Sequence, residues 1–224
     1  MPRRVAGGVE PLKLVLASGS PRRRAVLRAL VESFEVDPAN IDERRPQPGE
    51  DPDAYARELA LEKLKATASR HPDAIVLAAD TVVYRDGRVL GKPKSDSDAL
   101  DMLSFLAGGR HQIITAVAVS CGEHHVSSMR STVHFADISI AGLQSYVASG
   151  EGRDKAGAYA IQGGAGAFIS GVEGCLENII GLPLCVVANL LEECDPPLLH
   201  RPAPCTHFAL ERGWSPHLAT YRMS

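Results

Sequence analysis

Residues 12–17 form a short, mostly apolar run that stops at Ser18, Gly19, Ser20 and Pro21, the pattern of a buried strand entering a tight turn. A helix is predicted to follow at once. Ser20 suits the N-cap and Pro21 the first helical position, and Val26, Leu27, Leu30, Val31 and Phe34 give its apolar stripe. Residues 37–52, rich in Pro, Asp, Glu and Arg, predict a charged loop. Helical spacing returns over 53–69, with Tyr55, Leu59, Ala60 and Leu64 along it and an N-cap at Asp51 or Asp53. The continuous apolar run 75–79 predicts a strand covered on both faces. Asp86 and Gly87 predict a two-residue hairpin turn between strands 81–84 and 88–90.

Ser95 and Asp98 then stand in capping-box-like spacing before a helix that places Ala99, Met102, Leu103 and Leu106 on one face and stops at Gly108 and Gly109. Residues 112–120 and 126–135 read as strands joined by a polar connection, and 140–147 as a short helix. A glycine-rich stretch follows, then a strand at 168–172 and an apolar helix that starts at Gly181, Leu182 and Pro183 and runs to about 194. Residues 1–11 read as a loose tail. From 195 the chain turns Pro-rich and loses periodicity, so 195–224, Trp214 included, reads as a peripheral or disordered tail. Strands alternating with helices predict one α/β domain over 12–194.

Composition narrows the function. The 224 residues carry 24 basic and 27 acidic side chains, a net charge of -3, which gives no general attraction to nucleic acid or an anionic membrane. Any anion site must therefore be local. The five cysteines are odd in number and contain no Cys-x-x-Cys pair, so neither a disulfide framework nor a zinc knuckle is expected. They read as reduced thiols of a cytoplasmic protein. No run approaches a membrane span, and residues 1–10 are too short and too polar for a secretory signal.

Three clusters carry candidate chemistry. Arg22, Arg23 and Arg24 fall in the first turn of the first helix, where unpaired amides and the helix dipole already present positive charge. Either solvent and nearby acids absorb them, or an anion sits among them; phosphate suits amides and guanidinium forks best. Asp80 ends the most buried strand, where open α/β sheets place ligands; it either begins a turn or takes a metal or partner. Lys63 reads from its pattern alone as a solvated helix lysine. Gly91 and Lys92 are not a P-loop pair, because the glycine spacing is wrong and Pro93 follows. His124, His125 and His134 lack a ligand-set spacing and read as surface or strand-face histidines. Glu151, Asp154, Lys155, Tyr159 and Gln162 interleave with the glycines after 150, which favours an ordered ligand loop over a plain linker.

Together the motifs LASGSPRRR, Asp42-Glu43, Glu62-Lys63, AADTVV, GKP, HQIITAV, SGE, DKAGAYAIQG and NIIGLPL resemble, in order and spacing, the Maf-like nucleoside triphosphate pyrophosphatase family. The resemblance covers about residues 12–193. It implies a two-lobed α/β fold with a central mixed sheet flanked by helices and a cleft between lobes, related to the inosine triphosphate pyrophosphatases, and a homodimer. It implies hydrolysis between the α and β phosphates with a divalent cation, Mg or Mn. Ser18, Arg22, Arg23, Lys63, Lys92 and Lys155 would hold the triphosphate. Asp80 would accept the proton of the attacking water and share the metal with Glu43. Arg22, Thr81 and Gln162 match the branch that prefers dTTP and UTP, with modified pyrimidine triphosphates as further candidates. The sequence departs from the family where Gly152 replaces a frequent Pro and Cys175-Leu176 a frequent Asp-Tyr. The alternative is a non-catalytic nucleotide-binding regulator of cell division, against which Asp80, Glu43 and the two phosphate lysines speak.

Overall fold

A computed structural model describes residues 13–194, Cys205 and the backbone of 207–212; the expected N-terminal tail, most of the C-terminal one and Trp214 lie outside the described residues. The elements follow the chain as β1 (Leu14–Leu16), α1 (Pro21–Leu27), β2 (Glu35–Val36), α2 (Pro52–Ala68), β3 (Ile75–Arg85), β4 (Arg88–Leu90), α3 (Asp96–Leu106), β5 (Arg110–Cys121) and β6 (Glu123–Phe135). Then come α4 (Ile140–Ala148), two 3-10 turns at Ala156–Ala158 and Gly164–Phe168, β7 (Ile169–Cys175), α5 (Leu176–Ile180), α6 (Leu184–Glu192) and β8 (His207–Arg212). One mixed sheet of order β2-β1-β3-β5-β6-β7-β8 forms the centre, with β4 also on β3. β1 pairs in parallel with β2 and β3, and every other ladder is antiparallel. No helix among the described residues is long and apolar enough to cross a membrane.

Strand parity sorts the core into two layers. Val76, Ala78 and Val82 of β3 join Val15, Ile114 and Ala116 under Tyr55, Leu59 and Leu64 of α2. Ile75, Leu77, Ala79 and Val83 turn the other way, onto Leu27 of α1, Leu103 of α3, Ile179 of α5 and Val187 of α6. Because one face meets α2 and the other the remaining helices, β3 is apolar on both sides and reads as a continuous hydrophobic run.

The predicted caps are in place. Ser20 Oγ accepts from Arg23 N at 3.4 Å, Asp51 caps α2, and Ser95 Oγ accepts from Asp98 N at 3.1 Å. Asp86 and Gly87 both have positive φ, 47° and 82°, as the two-residue turn requires.

Other expectations need correction. α1 is shorter than its stripe: after Leu27 the amides of Ala29 and Leu30 bond back three residues, to Val26 and Leu27, and the helix tightens into a turn. Two short elements, β2 and α5, have no counterpart in the sequence reading. Part of the expected C-terminal tail is β8, which pairs antiparallel with β7 and extends the sheet past residue 194. Cys121 and Cys194, read as reduced thiols, form a disulfide with Cα atoms 5.6 Å apart. The end of β5 and the end of α6 meet only in the folded chain, 73 positions apart, so no local spacing announced the pair. The three histidines do lie on β6 as strand-face residues, and two of them pair with carboxylates: His125 with Glu193 at 2.7 Å and His134 with Glu173 at 2.6 Å.

His111 on β5 is buried, with Nε2 2.6 Å from the Tyr159 hydroxyl and its ring edge-on to Phe135 at 4.9 Å. Burial, then Arg85 and His134, push its pKa down to about 3. An unfolded chain takes up a proton near pH 6.5 that the folded chain refuses. Stability is therefore lost as pH falls below about 6.5 and continues to fall toward 3, by roughly 1.4 kcal/mol per pH unit for this one group. Urea unfolding at pH 7 and 4.5 should show the wild type losing about 2–3 kcal/mol more than His111→Phe over that interval.

Candidate active site

On one edge of β3, β1 pairs with residues 75–77 and β4 with 83–85, while β5 follows the opposite edge from 76 to 84. The stretch 78–82 between β1 and β4 is thus open on one side, and there the sheet floors a cavity of about 730 Å³, within the usual range for ligand sites. Its walls are the turn after β1, the loop before α2, Gly91 and Lys92 after β4, residues 154–156 and 159–161, and the end of α5 at Ile179 and Ile180 with Gly181. Five cations, Arg22, Arg23, Lys63, Lys92 and Lys155, face three carboxylates, Glu43, Asp80 and Asp154. The cavity concentrates positive charge in a chain whose net charge is -3, the local excess that an anion would need.

Asp80 and Thr81, adjacent on β3, point to opposite faces, so each joins a different set of partners. Asp80 turns to the α2 face. There Lys63 Nζ donates to Asp80 Oδ1 at 2.5 Å and lies 2.9 Å from Glu43 Oε1. Lys63 is no solvated helix lysine: its side chain is 12% exposed, because α2 lies over the sheet and turns it onto these two acids, far away in sequence. Lys92 reaches Glu43 from the rim at 3.9 Å. Burial raises the Glu43 carboxyl, but Lys63, Lys92 and Arg23 outweigh it and hold its pKa below the ordinary value.

Thr81 turns to the other face, toward α1 and α5. Arg23 spreads its guanidinium over three acceptors: Nε donates to the Gly181 carbonyl at 2.9 Å, Nη1 to Ser18 Oγ at 3.3 Å and Nη2 to Thr81 Oγ1 at 3.0 Å. Behind Thr81, its hydroxyl lies 2.9 Å from Thr115 Oγ1, which donates to the Asn178 carbonyl at 3.0 Å. Asn178 Nδ2 donates to Ser131 Oγ at 2.8 Å, and Ser131 in turn bonds both backbone groups of Cys175. Gly181 has φ of +118°, a left-handed turn that aims its carbonyl at Arg23 and favours glycine. Burial lowers the pKa of Arg23, opposed by Asp80, and that of Arg22, opposed first by Asp154. Arg24, the third arginine of the run, is exposed outside the cavity.

The glycine-rich stretch is an ordered wall. Gly157 N donates to the Gly91 carbonyl at 3.0 Å, its φ is +66°, and a Cβ there would press on Val83 at 3.0 Å. Lys155 and Asp154 form an ion pair at the cavity edge. Ala160 and Ile161 line the cavity; Gln162, next along, is half-buried and outside the lining. Ser18, Arg22, Arg23, Glu43, Lys63, Asp80, Thr81, Lys92 and Lys155 are thus brought together, and Gln162 is not. Thr115 and Asn178 are supports the sequence did not single out, inside the HQIITAV and NIIGLPL motifs; Gly181, expected to start the last helix, instead caps α5, and α6 starts at Leu184.

The Maf-like protein family profile matches residues 13–194. A dTTP/UTP pyrophosphatase of Myxococcus xanthus is 46% identical over 185 residues, covering 83% of this chain and 94% of that protein. One of Desulfotalea psychrophila is 42% identical, covering 80% and 91%. The Staphylococcus aureus Ham1 protein structure is similar over 56% of this chain and 72% of that one, at 20% identity and a TM-score of 0.39. On the extent of the profile match and the identity to these relatives, the chain belongs to the Maf-like protein family.

Proposed function

We propose that the cavity binds a nucleoside triphosphate and hydrolyses the bond between its α and β phosphates, with dTTP and UTP preferred. The observation that carries this is the Lys63-bridged pair Asp80 and Glu43 on the floor of a cavity with a cationic rim. Two carboxylates set beside a polyanion site make sense where a water must lose a proton. Arg22, Arg23, Lys92 and Lys155 bind the triphosphate and offset charge on the departing pyrophosphate. Asp80 accepts the proton as a water oxygen bonds to the α phosphorus and the bridging oxygen leaves with the β phosphorus. Thr81 acts through Arg23, whose fork it holds; the nucleobase lies toward Ala160, Ile161 and Gln162.

The donor set fits a hard divalent ion: Glu43 and Asp80 both reach the Lys63 ammonium with carboxylate oxygens, and Mg²⁺ or Mn²⁺ is commonly held by one or two carboxylates plus substrate phosphates. What such an ion supplies when bound is neutralisation of phosphate charge during bond cleavage.

Pyrophosphate release measured across dTTP, UTP, CTP, 7-methyl-GTP and ITP tests the reading. The expected result is turnover of dTTP and UTP at least about tenfold above the others, a difference of about 1.4 kcal/mol in the barrier. Orthophosphate as the product, or 7-methyl-GTP or ITP as the leading substrate, would overturn it.

A further inference from the structure

Away from the cavity, three cysteines far apart in sequence meet at one corner of the fold. Cys175 ends β7, Cys185 lies in the first turn of α6, and Cys205 stands just before β8. None of the three is in a disulfide, and their sulfurs lie within 4.8 Å of one another. Cys175 and Cys205 Sγ are 3.6 Å apart, close to the ~3.8 Å that separates two sulfurs on one tetrahedral zinc at Zn–S ≈ 2.3 Å. Cys185 N donates to Cys205 Sγ at 3.1 Å, fixing that sulfur from outside. The buried Glu177 carboxylate lies 3.3 Å from Cys175 Sγ.

We propose that Cys175, Cys185 and Cys205 form a structural zinc site, with Glu177 as the nearest oxygen donor for the fourth position. Soft thiolates in a closed, tetrahedral-sized cluster select zinc over the hard ions suited to the cavity. Left as thiols, Cys175 and Cys205 oppose ionisation. The neighbouring thiols and burial raise the pKa of Cys175. The Cys175 thiol draws that of Cys205 down, but Cys185 and burial leave it at about 12. A divalent cation reverses this by replacing the protons. The role is mechanical: the ion ties the chain entering β8 to the corner of β7, α5 and α6, and so backs the Asn178 and Gly181 supports of the cavity.

The test is metal analysis of the full chain after zinc loading and exhaustive dialysis. One zinc per chain is expected, retained in Asp80→Asn and reduced at least roughly tenfold in Cys205→Ser. Cobalt(II) loading should give thiolate-to-metal charge-transfer absorption in the wild type and not in Cys205→Ser. Thiol counting on the wild type covers the case in which that variant does not fold. Unreduced protein denatured with a chelator should show three reactive thiols of the five cysteines. A single thiol would mean that Cys175 and Cys205 are oxidised to each other and would overturn the site. So would substoichiometric zinc, copper in its place, or zinc that leaves with Asp80→Asn and stays in Cys205→Ser.

Discussion

Asp80→Asn should lower kcat for dTTP by about 10²–10⁴, the usual worth of a positioned general base, equivalent to roughly 3–5 kcal/mol in the barrier. KM should move by no more than a few-fold, because the change keeps the side chain's size and leaves the cationic rim untouched. An asparagine oxygen can still accept from Lys63, so the fold should survive with a thermal midpoint within a few degrees of the wild type. Steady-state kinetics beside a thermal melt check both halves. A variant with near-normal kcat would remove Asp80 from the chemistry, whatever its place on the cavity floor.

Lys63→Met should be more damaging to the enzyme as a whole. It withdraws the cation that pairs directly with both Asp80 and Glu43, leaving two acids in a partly buried site. Removing one partner of such a cluster costs about 3–5 kcal/mol where burial is full, and less here because Glu43 is more than a third exposed. The diagnostic is the pH profile. In the wild type burial raises Glu43 and its cations overcome it; without Lys63 the upward push gains, and the like charge of Asp80 adds to it. Glu43 then holds its proton to higher pH, so the acid limb of kcat/KM should move up by about 1 unit or more while kcat/KM at pH 7 falls about 10²-fold or further. Lys63→Arg, which keeps the charge, should return the limb toward its original position. An unmoved limb in Lys63→Met would separate Lys63 from the ionisation of the pair.

Legibility followed the range of the interactions. β1, its turn and the start of α1 were readable because strand, cap and helix-start signals lie within ten residues of one another; so were the Asp86-Gly87 hairpin and the capped α3. Lys63 was misread on pattern, since its surroundings are set by β3 and the loop at Glu43, which no helical periodicity of α2 encodes. Only the family resemblance, through ordered motifs, put it in the site. The Cys121–Cys194 bond and the Cys175–Cys185–Cys205 cluster were invisible for the same reason: each is made by strands and helices meeting across long separations. β8 is not legible because the Pro-rich sequence before it masks a six-residue strand at the sheet edge. Gln162 was assigned by motif, and its place just beyond the lining is decided by how residues 150–168 fold, which composition does not fix.

The row of side chains behind Arg23 has a direction. A guanidinium has no acceptor, so the hydrogen between Arg23 and Thr81 can only come from the arginine. The Thr115 hydroxyl spends its single hydrogen on the Asn178 carbonyl, so Thr81 must be the donor to Thr115. Each rotor therefore has one permitted setting, and the line cannot run backwards. A methyl group of equal size at 81 or 115 would keep the volume and strand a buried oxygen or nitrogen at the break, whereas serine would carry the same polarity through. Evolution at these two positions should accept a swap between the two hydroxyl residues far more readily than one to valine.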